Sequence, residues 1–346
     1  MKIAMAHVDL PNESKGGVAM QAHLMANALV KAGHEVTMYT FSERFSECNY
    51  AVNTLPVIPK LRKFQSFLFA KKLSEQQFHS YDIVHTHGDN YLLGKVHPQV
   101  RTMHGSASWE RRTAKTARRK AYQTIMQKLE TRGSRIADVC VGVSENTRQD
   151  VPAVSFVIPN GVDLNLFYPG KKTTQPTVLF VGTVGGRKRG NLLLEIFNKR
   201  IKPYFPNAEL WSVADSPMHG DGVVNCGRVS TDELCRLYRE SWIFCLPSTY
   251  EGFGVPYIEA MASGTPVVAT PNAGSCEVLS NGQYGILAQE DQLGQSICDL
   301  ITDASRRKVL TETGIERAKI YSWSTIIAQY ESVYQSLVTP TKVKSL

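Results

Sequence analysis

Short apolar runs alternate with longer amphipathic segments along the first part of the chain. The first run, at 2–8, precedes a polar loop and a segment, 18–32, in which Val18, Ala22 and Met25 lie near one helical face. Further strands are predicted at 35–40, 82–87, 99–103 and 139–143. Strands that alternate with helices in this way predict a parallel, doubly wound α/β sheet.

A second series of the same kind follows a break in the pattern at 160–176, where a turn and a proline-flanked linker are predicted. Its strands are predicted at 177–181, 209–213, 223–225, 243–246, 266–269 and 285–287, before a last helix at about 323–337. We therefore predict two Rossmann-like domains, 1–168 and 169–320, that face a central cleft. The C-terminal helix, at about 321–338, is expected to pack back on the first domain.

The composition favours an ordinary globular protein. Hydrophobic residues make up 42% of the 346 residues, and no apolar run reaches the roughly 18–20 residues of a membrane-spanning helix. His7 and Asp9 come too early for a secretory signal peptide. The seven cysteines are scattered and form no C-x-x-C pair. We expect a cytoplasmic protein with reduced thiols and no zinc site.

The formal net charge of +8 indicates an anionic partner. Residues 111–120 hold six cations and no acid. Three interpretations stay open for this segment: peripheral docking to the anionic inner face of a membrane, aided by the amphipathic segment 61–73; recognition of an acidic acceptor; or a solvated helix face. A nucleic-acid-binding protein would explain the charge, but no RNA-binding aromatic motif is present, and we expect no nucleic acid partner.

Several candidate ligand-binding residues follow predicted strands, where open α/β sheets bind their ligands. Gly16 and Gly17 precede the first helix and either approach a phosphate or sugar or form a plain flexible turn. His104 ends a strand and either bonds a substrate hydroxyl or is a satisfied structural histidine. His85 and His87 have a spacing that could suit a metal, but no third ligand is evident, and packing or supporting roles are favoured.

The second domain carries the stronger signals. A glycine-rich loop, 182–190, contains Arg187, Lys188 and Arg189 just before a helix, which favours phosphate binding over a merely solvated basic loop. Glu251 and Glu259 flank Gly-Phe-Gly-Val-Pro-Tyr-Ile. We expect Glu251 on a loop and Glu259 in the first turn of the following helix, whose start would favour an anion.

The segment 247–269 resembles the E-x7-E signature of retaining glycosyltransferases of family 4, which have the GT-B fold. The resemblance extends over most of the chain. Its further elements are Gly16-Gly17, His104 in a T-x-H-G context, Val143-Ser144-Glu145, Asn160-Gly-Val-Asp163, the basic loop at 187–188 and the terminal Ser-Trp helix.

The resemblance implies roles for these residues. Arg187 and Lys188 would neutralise the donor diphosphate, Glu259 would hold the ribose hydroxyls, and Glu251 would act near the transferred sugar as a catalytic residue, without being assigned as a nucleophile. The other implied contacts are the catalytic His104 on a donor sugar hydroxyl, Gly16 and Gly17 beside the phosphates, Phe253, Gly254 and Val255 on sugar and phosphate, and Arg228 and Val229 on the base.

One departure from the family pattern leaves the roles of the cations in the basic loop undecided. The commoner pattern has Arg directly after the first glycine of this loop, where the chain has Thr183. Which two cations of the run Arg187–Arg189 act on the diphosphate is therefore undecided.

The implied activity is a retaining transfer of a hexose-type sugar from a nucleotide sugar, with UDP favoured over GDP, to a glycan, lipid-linked or small-molecule acceptor. No cofactor or metal is expected, and the sequence contains no D-x-D motif. The alternatives are another GT-B enzyme, such as a sugar-nucleotide epimerase or a phosphorylase, and a basic nucleic-acid-binding protein.

Overall fold

The computed structural model describes residues 1–11, 16–57, 64–94, 96, 98–114 and 116–339. The chain divides into two compact units. The first unit comprises Met1–Gly161 with the C-terminal residues from Trp323 onward, and the second comprises Val162–Ser322. The change of unit lies between Gly161 and Val162, a few residues before the boundary at 168/169 that the sequence suggested.

The first unit contains a parallel sheet of seven strands over its described residues, in the order β3-β2-β1-β4-β5-β6-β7. The strands are β1 (Lys2–Ala6), β2 (Glu35–Thr40), β3 (Ala51–Thr54), β4 (Ile83–Thr86), β5 (Gln99–Met103), β6 (Val139–Gly142) and β7 (Phe156–Val157). The connecting helices are α1 (Gly17–Lys31), α2 (Gln65–Ser74), α3 (Ala107–Arg112), α4 (Ala117–Ile136) and α5 (Glu145–Asp150). The strand order reverses between β1 and β4, which makes this pair the switch point of the sheet.

The last helix, α12 (Trp323–Val338), completes the core of the first unit. Ile326 and Tyr334 are fully buried and pack in one apolar cluster with Ile3 of β1. A methyl group on Gly161 would lie 2.5 Å from the Trp323 ring, so the glycine permits this close approach. The C-terminal residues are therefore an integral part of the first unit rather than a tail.

The second unit contains a parallel sheet in the order β10-β9-β8-β11-β12-β13. The strands are β8 (Thr177–Gly182), β9 (Glu209–Ala214), β10 (Val223–Asn225), β11 (Ile243–Leu246), β12 (Val267–Ala269) and β13 (Ile286–Leu287). The helices are α6 (Gly190–Ile196), α7 (Thr231–Glu240), α8 (Val255–Ala262), α9 (Ala273–Val278), α10 (Leu293–Thr302) and α11 (Ala304–Lys319). The order reverses between β8 and β11, which is the switch point of this sheet.

The predicted α/β class with two Rossmann-like sheets is confirmed. The predicted strands with buried apolar runs end within about one residue of the observed strands, because a strand covered on both faces is apolar throughout. The exception is the strand predicted at 2–8, which ends at Ala6. The helix after Glu251 begins at Val255, so Glu259 lies in its second turn and the expectation of a first-turn position is wrong. Within the described residues, no helix is long and apolar enough to cross a membrane.

Candidate functional site

Three loops converge at the carboxyl ends of β8, β11 and β12, the neighbouring strands at the switch point of the second unit. The loop after β8 carries the predicted basic run, and the loop after β11 carries Glu251. The loop after β12 leads into α9 through Asn272, which caps that helix. Ligands bind at such a switch point because the loops on either side diverge and leave a crevice.

Glu251 is the electrostatic centre of these loops. Its side chain is 6% exposed, and its Oε1 lies 3.1 Å from Lys188 Nζ while its Oε2 lies 3.4 Å from an Arg187 nitrogen. Ser248 Oγ also donates to Oε1 at 2.7 Å. Since a buried carboxylate is costly unless it is paired and hydrogen-bonded, this arrangement satisfies Glu251 and fixes both cations beside it.

Two of the three predicted cations share Glu251, and the third has other partners. Arg187 also donates to the Tyr250 carbonyl at 3.0 Å, whereas Arg189 turns away from Glu251. Arg189 donates to the Pro247 carbonyl at 2.6 Å and pairs with Glu290. Arg189 has a φ of +54°, in the left-handed region that few non-glycine residues adopt. The structure thus joins Arg187 and Lys188 to Glu251 and uses Arg189 to tie the strand ends together.

The start of α8 lies directly after Glu251. Gly254 caps the helix with a φ of +103°, and no side chain caps its first N–H groups. A methyl group on Gly254 would lie 2.4 Å from the Tyr257 ring, so both backbone angle and space favour glycine there. Phe253 is 3% exposed and packs edge-to-face on Tyr321, while Val255 is the first residue of the helix.

Glu259 lies farther along α8 and keeps some solvent contact. Burial raises the pKa of its carboxyl to about 7, against the opposing effects of the neighbouring Tyr238 hydroxyl and Lys188. The carboxyl is therefore half ionised near neutral pH. A ligand that donates hydrogen bonds to it favours the ionised form.

Three residues that sequence reasoning missed hold the Glu251 loop in place. Thr270 Oγ1 and Asn272 Nδ2 both donate to the Ser248 carbonyl, at 2.7 and 3.1 Å. Gly274 lies in the first turn of α9, where a methyl group would lie 2.5 Å from the Phe253 carbonyl oxygen and 2.8 Å from that of Glu251. The glycine lets the loop lie against the helix, and a Pro-Asn-Ala-Gly string gave no sign of this contact.

Together these groups place two cations beside one internal counter-charge. Two cations, a neighbouring carboxylate and an uncapped helix start leave a net positive region that would attract a phosphate. Arg228 and Val229 follow β10, which is separated from β8 by β9. Within the described part of the chain, no three His, Cys, Asp or Glu side chains are grouped to hold a metal ion.

The predicted residues of the first unit lie at its own switch point. Gly16 precedes α1 and Gly17 begins it. Both are exposed, with open space where a side chain would be. Residues 12–15 lie outside the described part of the chain. His87 Nδ1 lies 2.9 Å from His104 Nε2, with 27° between the two ring planes. His85 is fully buried and stacks on His87, with a centroid separation of 4.7 Å.

Comparisons with known proteins agree with this architecture. Residues 15–166 match a family model described as Glycosyltransferase Family 4, and residues 175–303 match one described as Glycosyl transferases group 1. The chain is 25% identical, over 97% of its length and 99% of the relative's, to an uncharacterized glycosyltransferase of Methanocaldococcus jannaschii.

Two solved structures share the fold at lower identity. Sucrose-phosphate synthase from Thermosynechococcus elongatus has a TM-score of 0.77 at 23% identity, with 97% of this chain and 98% of that chain covered. Anabaena HepE, crystallised with UDP-glucose, has a TM-score of 0.74 at 16% identity, with 97% and 100% covered.

We expect Gly274→Ala to destabilise the second unit, because the new methyl group meets backbone atoms that cannot move independently. Overpacking of this kind costs about 1–3 kcal/mol, measurable as a lower urea midpoint. Cys276→Ala, two residues along the same helix, is the matched control and should stay close to the wild type. A Gly274→Ala midpoint equal to that of the control would contradict the close contact.

Proposed function

Because the chain belongs to glycosyltransferase family 4 and has the GT-B fold, we propose that it transfers a hexose-type sugar from a nucleotide-sugar donor with retention of configuration. The proposed acceptor is a glycan, a lipid-linked sugar or a small molecule. The observation that carries the proposal is the pair Lys188 and Arg187 on the buried Glu251, beside the uncapped start of α8. UDP is the favoured nucleotide, since a protein of the same fold was crystallised with UDP-glucose.

Electrostatics would supply most of the catalysis. Breaking the bond between sugar and phosphate places negative charge on the departing diphosphate, and preorganised positive groups stabilise that charge. Arg187 and Lys188 are already held within 3.4 Å of a carboxylate oxygen, so they need little reorganisation to meet a phosphate oxygen. With these cations in place of a metal, we propose a metal-independent reaction that needs no cofactor.

Glu251 would act by holding these cations and by facing the transferred sugar. Its carboxyl group lies against Lys188 and Arg187, and a negative charge held in this place would stabilise positive charge on the sugar ring. His104 would contact a hydroxyl of that sugar, and Glu259 the ribose. Gly16 and Gly17 would allow the phosphates a close approach to α1, because neither carries a side chain.

We expect UDP to raise the melting temperature more than GDP or ADP in a thermal-shift series. A ligand at one hundred times its Kd stabilises the folded state by about 2.7 kcal/mol.

The affinity of the protein for UDP should also rise with pH. The Glu259 carboxyl has a pKa of about 7, and only its ionised form accepts from both ribose hydroxyls with both oxygens free of a proton, so UDP should bind more weakly at pH 6 than at pH 8. Calorimetric titration at both values measures this.

Glu259→Gln is the control for that pH dependence. The amide cannot titrate, so its UDP affinity should be low and should vary less between pH 6 and 8. If UDP affinity changed equally between pH 6 and 8 in the wild type and in Glu259→Gln, the proposed contact of Glu259 with the nucleotide would be wrong. If no nucleotide diphosphate shifts the melting temperature, the proposed donor class is wrong.

We expect Glu251→Gln to lower turnover about a hundredfold or more, within the range found when a transition-state contact is removed. Nucleotide affinity should stay largely intact, since Arg187 and Lys188 remain. Turnover of a nucleotide sugar with acceptor, and Kd for the nucleotide, separate the two effects. Glu312→Gln, an exposed glutamate of the same unit, is the control. Near-normal turnover of Glu251→Gln would contradict the assignment of Glu251 as a catalytic residue.

We also propose peripheral contact with an anionic membrane on its cytoplasmic side, through α4. Tyr122 and Ile125 are 47% and 52% exposed on this helix, among exposed cations. The cations are Arg118, Arg119, Lys120, Lys128, Arg132 and Arg135. In the segment 61–73, Phe69 and Leu73 of α2 are buried in the core, whereas Phe64 is 51% exposed. Residues 61–63 and Lys115 lie outside the described residues.

Removing Arg118 and Lys120 together should weaken binding to anionic vesicles roughly tenfold or more, since each surface cation contributes about 1 kcal/mol. Co-sedimentation with anionic and with zwitterionic vesicles measures the effect. Lys308→Ser, at an exposed lysine of the second unit, serves as the charge control. Binding that does not depend on anionic lipid would contradict the proposed membrane contact. The basic segment would then be a solvated helix face or a site for an acidic acceptor.

A further inference from the structure

Four histidines meet at the carboxyl ends of β1, β4 and β5 in the first unit. His85 and His87 stack at 4.7 Å with 17° between their planes, and the ring centres of His87 and His104 lie 5.2 Å apart with 27° between their planes. His7 meets the edge of His87 at 6.4 Å. His87 is 7% exposed and His85 is fully buried. The proposed function gives a role to His104 alone, which leaves the rest of the stack unexplained.

The stacked rings are neutral near pH 7. Burial lowers the pKa of His85 and of His104 to about 3, and burial with the neighbouring histidines lowers the pKa of His87 well below its usual value. A neutral imidazole has one N–H donor and one nitrogen lone pair. The contact of 2.9 Å between His87 Nδ1 and His104 Nε2 therefore needs the proton on one side only, and the tautomer of one ring decides that of the other.

The hydrogen bonding of His87 decides which ring donates. Among the described residues, His87 Nε2 has no hydrogen-bond partner and is fully buried. A buried N–H without an acceptor is rarer in proteins than a buried acceptor without a donor, which places the His87 proton on Nδ1. The Asn160 side chain raises the pKa of the His104 ring.

We propose that His87 is a positioning residue that donates from Nδ1 to His104 Nε2 and thereby holds His104 as the neutral Nδ1–H tautomer. This inference deepens the proposed function and rests on it where turnover is concerned. His104 is then left with one N–H, on Nδ1, which a sugar hydroxyl can accept.

The far side of the stack is anchored by the protein core. His85 Nδ1 lies 2.6 Å from the Tyr334 hydroxyl and its Nε2 lies 2.8 Å from Thr102 Oγ1. Thr102 Oγ1 in turn lies 3.0 Å from the Tyr330 hydroxyl. Tyr330 and Tyr334 belong to α12, so the C-terminal helix braces the ring on which His87 stacks. With His85 fixed on one face, His87 has little freedom to rotate away from His104.

The test compares two substitutions of His87 by NMR and by kinetics. His87→Asn places an amide near the Nδ1 position and can keep the hydrogen bond, whereas His87→Leu removes it. The ring nitrogen signals of His104 should report the Nδ1–H tautomer in the wild type and in His87→Asn, and a mixture of tautomers in His87→Leu. Turnover should fall about tenfold in His87→Leu with donor KM little changed, and should be largely restored in His87→Asn.

His23→Leu is the matched control for loss of a buried histidine. His23 is 2% exposed in the same unit, and its Nδ1 lies 2.7 Å from the Tyr50 hydroxyl. Both leucine variants should lower the melting temperature by similar amounts. His23→Leu should leave kcat per folded molecule and the His104 signals unchanged.

A double-mutant cycle tests whether His87 acts through His104. Because the proposed effect passes through that ring, His87→Leu should have no further effect on turnover once His104→Ala is present. Additive losses, or His104 signals that do not respond to His87→Leu, would overturn the inference. If no nucleotide sugar supports transfer, the proposed function fails by itself, and the NMR comparison still decides the tautomer.

Discussion

A carboxylate that is almost fully buried needs a counter-charge, and in the second unit this requirement organises the whole strand-end region. Glu251 draws Lys188 and Arg187 from the loop after β8 and Ser248 from its own loop. The Ser248 carbonyl is in turn held by the loop after β12. Removing the carboxylate would leave two cations side by side without compensation, which is costly in a partly desolvated site. The positive charge offered to a ligand is therefore held in place by a negative one.

Much of the fold could be predicted because buried parallel strands are apolar throughout and are separated by recognisable helix and turn signals. The strands that escaped prediction, β3 and β7, lie at the two edges of the first sheet and are largely exposed. Their pairing depends on β2 and β6, which no local pattern reveals. The early start of α8 was missed because Gly254-Val-Pro reads as a turn, although proline near the first helical position is compatible with a helix.

The candidate site was predictable where its residues are contiguous. Glu251, Arg187 and Lys188 stand in short motifs with charged side chains, and the structure joins them. It also separates Arg189, whose role follows from its left-handed backbone and its partners after β11 and β12. Gly274 could not be found in this way, because its importance comes from a backbone approach between segments about twenty residues apart. The histidine stack likewise arises from strand order, which places β4 between β1 and β5.

The candidate residues of the second unit are charged, whereas His104 of the first unit is neutral, and the proposed reaction gives a reason for this difference. A departing diphosphate gains negative charge, so fixed cations such as Lys188 stabilise it. The sugar ring gains positive charge, and a protonated histidine next to it would raise the barrier. A half-buried, neutral His104 would donate a hydrogen bond to a sugar hydroxyl without adding a like charge, and burial lowers its pKa to about 3. A neutral ring has two tautomers, however, and only one has the proton on the side that donates. Burial therefore solves the charge problem and creates an orientation problem, which a second buried ring, His87, can resolve at 2.9 Å.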